Sequence, residues 1–166
     1  MNLLRFDKDS PETESLRAWW RWLDENRGER AVLRRCGTLT DVAFSPAYHR
    51  LRSMVSRFGF VDDDGLALVA GLAARIKENM GSGRIAEQMA TAKSGGDAKA
   101  RVSGLRFRRL LKVREREDLF SPMIRIVDLL GGSVNIQSLA QGVYFWKDKT
   151  RKQWAFDYYS KAPGET

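Results

Sequence analysis

Residues 10–23 read SPETESLRAWWRWL. Ser10 is a residue type that caps helices, Pro11 lacks an N–H that the first turn does not use, and Glu12 sits near the positive end of the dipole. Leu16, Trp19, Trp20 and Leu23 then recur at i, i+3, i+4 and i+7, which is one apolar helical stripe. The same grammar returns along the chain. Gly28 interrupts, and a short segment with Val32 and Leu33 runs to Cys36-Gly37. Ser45-Pro46 opens another helix, with Leu51, Met54, Val55 and Phe58 behind it and Gly59 as a stop. Asp62-Asp63-Asp64 opens the next, with Leu66, Val69, Ala70, Ala73, Ile76 and Met80 facing inward. Ser121-Pro122 reads as a third cap-then-proline start, lined by Met123, Ile126, Val127 and Leu130 and closed by Gly131-Gly132. Ser133 is the expected cap of a last helix bearing Ile136, Leu139, Ala140, Val143 and Trp146. No stretch sustains period-2 alternation, so the expected fold class is all-α.

Between Gly81 and Gly104 the composition shifts to Gly, Ser, Ala and Lys, ending in KSGGDAKARVSG. Few large apolar groups occur there, apart from a short helix near Ile85–Met89. The expected organisation is therefore two small helical bundles, residues 1–80 and 105–166, joined by a flexible Gly/Ser/Lys-containing linker or mobile loop at 81–104. A chain of 166 residues with 43% hydrophobic content can bury a real core.

The charge is uneven. The formal net charge is +8, and the sequence pI near 9.9 points to a polyanionic partner. Residues 93–116 hold nine basic groups (Lys93, Lys99, Arg101, Arg106, Arg108, Arg109, Lys112, Arg114, Arg116) against Asp97 and Glu115. On a helix through GLRFRRLLKVRERED (104–118), Phe107, Leu110 and Leu111 share one face. Arg108, Arg109 and Lys112 lie opposite, within an arc of roughly 100°, and Arg101 joins them only if the helix persists back through Gly104. Arg114 falls on the apolar side, which places a helix end there and Arg116 in a turn. Solvated helix faces usually mix signs, with acids four residues before bases. Here no acid separates Asp97 from Glu115, and Arg108 repels Lys112 across one turn. Such a face is expected to hold phosphates.

Catalytic chemistry is sparse. Asp62, Asp63 and Asp64 with Glu78 form a conceivable Mg²⁺ set, but acids at a helix start are already stabilised by the dipole. There is no P-loop, G-x-G-x-x-G, H-E-x-x-H or G-x-S-x-G. Cys36, the single cysteine, cannot form an internal disulfide, and nothing places it beside the lone His49. Neither metal nor cofactor is expected. No apolar run is long enough to span a membrane and the N-terminus is too polar for a signal peptide, so the expected compartment is the cytoplasm. Trp19 and Trp146 sit on apolar stripes, whereas Trp22 and Trp154 are free to meet a partner or stack a base. Lys147, Lys149, Arg151 and Lys152 near the C-terminus form no single stripe. Arg34-Arg35 alone would be unremarkable.

Four segments in order carry a resemblance: SLRAWWRWLDENRGERAVLRRC (15–36), SPAYHRL (45–51) followed by RFGF (57–60), RFRRLLKVREREDL (106–119) and FWKDKTRKQWAFDYY (145–159). Together they resemble the small subunit, or CasB family, of the type I-E CRISPR Cascade complex, over about residues 12–159. The resemblance implies a non-enzymatic helical subunit present in two copies. It would contact the backbone and large subunits, help hold the guide–target hybrid and the displaced non-target DNA strand, and so stabilise the R-loop in antiviral defence. It implies nucleic-acid contacts at Arg34, Arg35, Arg106, Arg108, Arg109 and Lys112 and in the region of Lys149 and Arg151. Arg101, Arg116 and Lys152 complete the set of expected nucleic-acid-binding residues. Two rivals stay open at this point: a free-standing helical DNA- or RNA-binding regulator, and a carboxylate-metal nuclease built on Asp62, Asp63 and Asp64.

Overall fold

A computed structural model describes residues 2–92 and 99–162. Within them ten α-helices follow in order. They are α1 (Pro11–Glu25), α2 (Arg27–Arg35), α3 (Leu39–Ala43), α4 (Pro46–Val55), α5 (Asp63–Ala73), α6 (Ile85–Ala90), α7 (Gly104–Leu111), α8 (Arg116–Leu129), α9 (Ile136–Tyr144) and α10 (Asp148–Lys161). The fold is all-α in class, and the cap-then-proline starts of α1 and α4 are present. Ser10 Oγ accepts from the Thr13 N–H at 3.3 Å, and Ser45 Oγ accepts from the Tyr48 N–H at 3.2 Å. Asp62 caps α5 in the same way, through the Gly65 N–H at 3.2 Å.

Helix α5 organises the molecule. After its two leading acids every residue from Gly65 to Ala73 is buried. A helix apolar all round cannot lie on a surface, so it must be covered from several sides. Helices α3 and α4 cover it from its own half of the chain, and α8 and α9 from the other. Gly71 permits the approach of α8, because a Cβ there would stand 2.7 Å from the Phe120 ring. The buried side chains of both halves accordingly form one core.

That arrangement differs from two bundles on a tether. Within 81–104, α6 docks on α10 and buries Ile85, Ala86, Met89 and Ala90. The Ile85 N–H donates to Ser138 Oγ at 2.9 Å. Beyond it, the Val102 N–H returns to the Met89 carbonyl at 3.0 Å, and the Tyr158 hydroxyl donates to the Val102 carbonyl at 2.7 Å. Residues 93–98, the most Gly- and Lys-rich part of the expected linker, lie outside the described residues.

Several local expectations change. Pro122 lies inside α8, which starts at Arg116 with Glu115 as N-cap. Glu117 and Asp118 suit the positive helix end, and Leu119 and Phe120 extend the buried stripe upstream. Asp118, whose carbonyl Pro122 leaves without a helical donor, is exposed to water. The C-terminal region forms two helices, α9 and α10, and Asn135 rather than Ser133 caps α9, through the Ser138 N–H at 3.1 Å. Ser133 instead belongs to β2 (Ser133–Val134), paired in parallel with β1 (Glu78–Asn79) in the register Glu78↔Ser133 and Asn79↔Val134. Two-residue strands are too short to leave an alternating pattern. Helix α5 ends at Ala73, which leaves Met80 exposed beyond β1. Gly131 and Gly132 end α8 as expected, with φ of 68° and 78°. The Gly132 N–H reaches the Val127 carbonyl at 3.0 Å and the Gly131 N–H reaches that of Asp128 at 2.9 Å, a Schellman pair.

Candidate nucleic-acid interface

The basic stretch becomes a short helix because Ser103 caps it, its Oγ accepting from the Arg106 N–H at 3.2 Å. That cap stops α7 at Gly104, so Arg101 lies before the helix and does not share its face. Phe107 anchors α7 by stacking on Tyr158 at 4.0 Å, almost parallel at 8°, and Leu110 is buried beside it. With this side fixed inward, Arg106, Arg108, Arg109 and Lys112 are exposed. The helix ends at Leu111, as the position of Arg114 on the apolar side required.

Residues 112–115 turn the chain into α8, and the two helices enclose a cleft of about 540 Å³. Arg106 and Arg109 line it from α7 and Arg125 from α8, beside Ser103, Ser121 and the apolar Leu110, Val113 and Ile126. No carboxylate among the described residues lines it. Three guanidiniums around one acid-free cleft form a natural phosphate seat, since arginine presents fixed, forked donors. Arg108 and Lys112 lie outside this cleft, on the neighbouring exposed surface of α7. Nothing in the sequence singles out Arg125, because a lone arginine on the outer side of an apolar stripe carries no local signal.

Other expected residues divide into exposed and committed. Arg116 is committed. It pairs with Asp62 at 2.6 Å and donates to the Tyr144 carbonyl at 2.7 Å, so it joins the starts of α8 and α5 to the end of α9. It is the first residue of α8, not part of a turn. Arg151 is also committed: its side chain is only 13% exposed, and it donates to the Val113 carbonyl at 3.1 Å and pairs with Asp148. Lys149 and Lys152 are exposed, and Lys149 lines a separate groove with Arg5 and Arg84. Arg101, half-buried, lines a third depression with Glu87 and Lys161.

Arg34 and Arg35, exposed in the last turn of α2, share a cleft with Arg27, Arg30 and Asp24. Arg30 is consumed there by Asp24 at 2.7 Å and by the carbonyls of Ala74 and Ile76. Arg75 closes the end of α2, donating to the carbonyls of Arg34 and Cys36, each at 2.9 Å. Burial lowers the pKa of that guanidinium from its ordinary value.

The aromatic and acidic candidates resolve in the same way. Trp154 is 4% exposed, packed edge-on against Trp146 at 5.0 Å, so it presents no open face. Trp22 is half-buried and covered by the Arg50 guanidinium at 4.4 Å. Asp62 serves the α5 cap and Arg116. Asp63 binds Arg52 and the Tyr48 hydroxyl, each at 2.7 Å. The Arg52 hydrogen bond holds its carboxyl below the ordinary value. Among the described residues no group of three His, Cys, Asp or Glu side chains is placed to hold a metal ion. Cys36 is buried, which pushes its thiol pKa up, and its Sγ lies 3.3 Å from the Val32 carbonyl. His49 bonds instead to the Ala43 carbonyl at 2.7 Å. No helix of the described residues is long and apolar enough to cross a membrane.

Residues 29–159 match the family model described as CRISPR-associated protein Cse2. The chain belongs to the Cse2 family. In structure, this Cse2-family protein is similar to a chain of E. coli Cascade bound to a PAM-containing double-stranded DNA target, with a TM-score of 0.70 and 17% identity over 92% of this chain and 97% of that one. It is also similar to CasB from Thermus thermophilus, with a TM-score of 0.64 and 22% identity over 91% of this chain and 99% of that one. These likenesses establish a shared fold. No curated protein matches the sequence significantly.

Proposed function

We propose that this Cse2-family protein is a non-catalytic structural subunit of a type I-E Cascade complex, where it holds nucleic-acid backbone and stabilises the R-loop. The observation that carries the reading is the acid-free cleft of Arg106, Arg109 and Arg125 between α7 and α8. Its support in kind is the E. coli relative, whose structure is of Cascade bound to a DNA target. R-loop formation exchanges one duplex for another of similar stability, so a few backbone contacts tip the balance. Arginines that bind phosphates without reading bases suit that task, because the protein must accept any target sequence. Arg108 and Lys112 extend the positive surface of α7, and Arg34 and Arg35 offer a second basic patch at the end of α2. The other Cascade subunits, the guide RNA and target DNA, and a second copy of this chain are the partners this reading requires.

The deciding experiment assembles the complex with Arg106→Ala, Arg109→Ala and Arg125→Ala together and footprints it on target DNA. The expected result is intact assembly with lost protection of the displaced strand and slower R-loop formation. Unchanged protection at moderate salt would remove the cleft from the interface.

A further inference from the structure

A groove of about 830 Å³ lies where the N-terminal segment meets α9 and α10, and its chemistry differs from that of the arginine cleft. Phe60 stands on its wall, 59% exposed, with Leu3 beside it at 51%. The backbone that carries this ring is fixed. The Phe60 N–H donates to the Asn2 carbonyl at 2.8 Å, and its own carbonyl accepts from the Leu4 N–H at 3.2 Å. Phe145 lines the same groove and is half-buried.

The charges nearly cancel. Asp7 lies 3.6 Å from Arg5. Asp157 is matched by Arg84 at 3.1 Å and accepts from the Gln153 amide at 2.9 Å. Lys149 is the surplus cation, with no ion-pair partner among the described residues. The neutral amides of Asn2, Gln141 and Gln153 line the groove as well; Gln141 accepts from the Gln137 amide at 3.2 Å and donates to Asp7 at 3.4 Å.

A site for phosphate alone would need cations and no ring, as in the α7–α8 cleft, whose lining among the described residues holds no aromatic residue. An exposed ring on a fixed backbone, amides that both donate and accept, and one ammonium are instead what an unstacked nucleotide requires. We infer that this groove takes one base of a single-stranded nucleic acid, its face against Phe60 and its phosphate on Lys149. Trp154 lies beneath, its rings covered, so the stacking role falls to Phe60. The inference rests on the proposed nucleic-acid role and adds to it a contact with a base, made through a ring that any base can cover.

The test uses the full-length protein, an oligo-dT strand and an abasic strand of the same length. Phe60→Ala is expected to weaken oligo-dT binding about tenfold, leave abasic binding unchanged and keep the salt slope. Phe60→Tyr should bind like the native protein. Lys149→Ala should weaken both strands and lower the salt slope by about 0.7. Thermal melts check the fold. If Phe60→Ala melts early, Phe60→Leu, which keeps apolar volume without a π face, decides on the same readout. Equal binding of the two strands by the native protein, or unchanged oligo-dT binding by Phe60→Ala, overturns the inference. If Phe60→Ala instead loses the other Cascade subunits while oligo-dT binding is unchanged, the groove belongs to a protein segment and the inference is overturned. The variant lacking Arg106, Arg109 and Arg125 separates the two readings. If it alone loses binding, the backbone role stands and the base site falls; if the native protein binds neither strand, both fall.

Discussion

Arg109 and Arg116 stand seven residues apart, on either side of the bend between α7 and α8, yet the molecule uses them in opposite ways. Arg109 opens with Arg106 and Arg125 into a cleft that no carboxylate lines among the described residues. Arg116 is spent on Asp62 and the Tyr144 carbonyl. The difference teaches that charge density along a chain locates a basic region but does not say which charges remain available. An arginine becomes structural when the fold brings it an acid or a carbonyl, and only the residue left over can meet a phosphate.

The comparison breaks most visibly on the side of the cleft. Replacing Arg106, Arg109 and Arg125 with Ala should lower single-strand affinity about a hundredfold near physiological salt and reduce the log–log salt slope by about 2. Stability should move by less than about 0.5 kcal/mol, since exposed substitutions rarely cost more. Anisotropy titrations across a salt series read the first effect and thermal melts the second. A large drop in melting temperature would show that these arginines are structural after all.

Arg116→Ala should do the reverse. Leaving Asp62 and the Tyr144 carbonyl without their donor costs about 2 kcal/mol at this partly exposed site. The melting temperature should then fall by about 6 °C. Binding per folded molecule should hold, and a lost salt slope would return Arg116 to the interface. Arg151→Ala should cost less, about 1 kcal/mol, because it loses chiefly the hydrogen bond to Val113. The Asp148 carboxylate it leaves behind is 82% exposed and well solvated.

The smallest effect concerns pH. Arg52 holds the Asp63 carboxyl below its ordinary value, so the pair contributes stability above the unfolded carboxyl pKa of about 4 and loses it as pH falls through the lower folded value. With Asp63 57% and Arg52 40% exposed, the contribution is below about 1 kcal/mol after solvent screening. Denaturant midpoints at about pH 6 and about pH 3 should fall slightly more for the native protein than for Arg52→Gln. Equal falls would remove Asp63 as the source.

What was legible in the sequence was what is local. The Ser10-Pro11 and Ser45-Pro46 starts, the acidic opening of α5, the Gly131-Gly132 stop and the end of α7 each depend on neighbours within a few residues. Pro122 misled because a cap-then-proline dipeptide looks the same at a helix start and inside a helix whose earlier turn is set by Glu115 and the buried Leu119 and Phe120. The site divided along the same line. Phe107 and Leu110 declared the buried face of α7, and so its exposed arginines. Arg125 joining Arg106, and Asp62 capturing Arg116, depend on contacts between distant segments that no short pattern records. Trp154 looked free for the same reason: Gly142, which admits its ring, lies on another helix.

Helix α5 has a consequence for how the protein comes apart. A rod with no water-tolerant side, clasped by helices from before and after it, cannot be released by one half while the other stays intact. Amides in α5, α8 and α9 should therefore exchange with solvent together, in a single opening event. A fragment cut after residue 80 should aggregate rather than fold. The arginine cleft, though built wholly from residues beyond that point, keeps its shape only while the N-terminal half is in place.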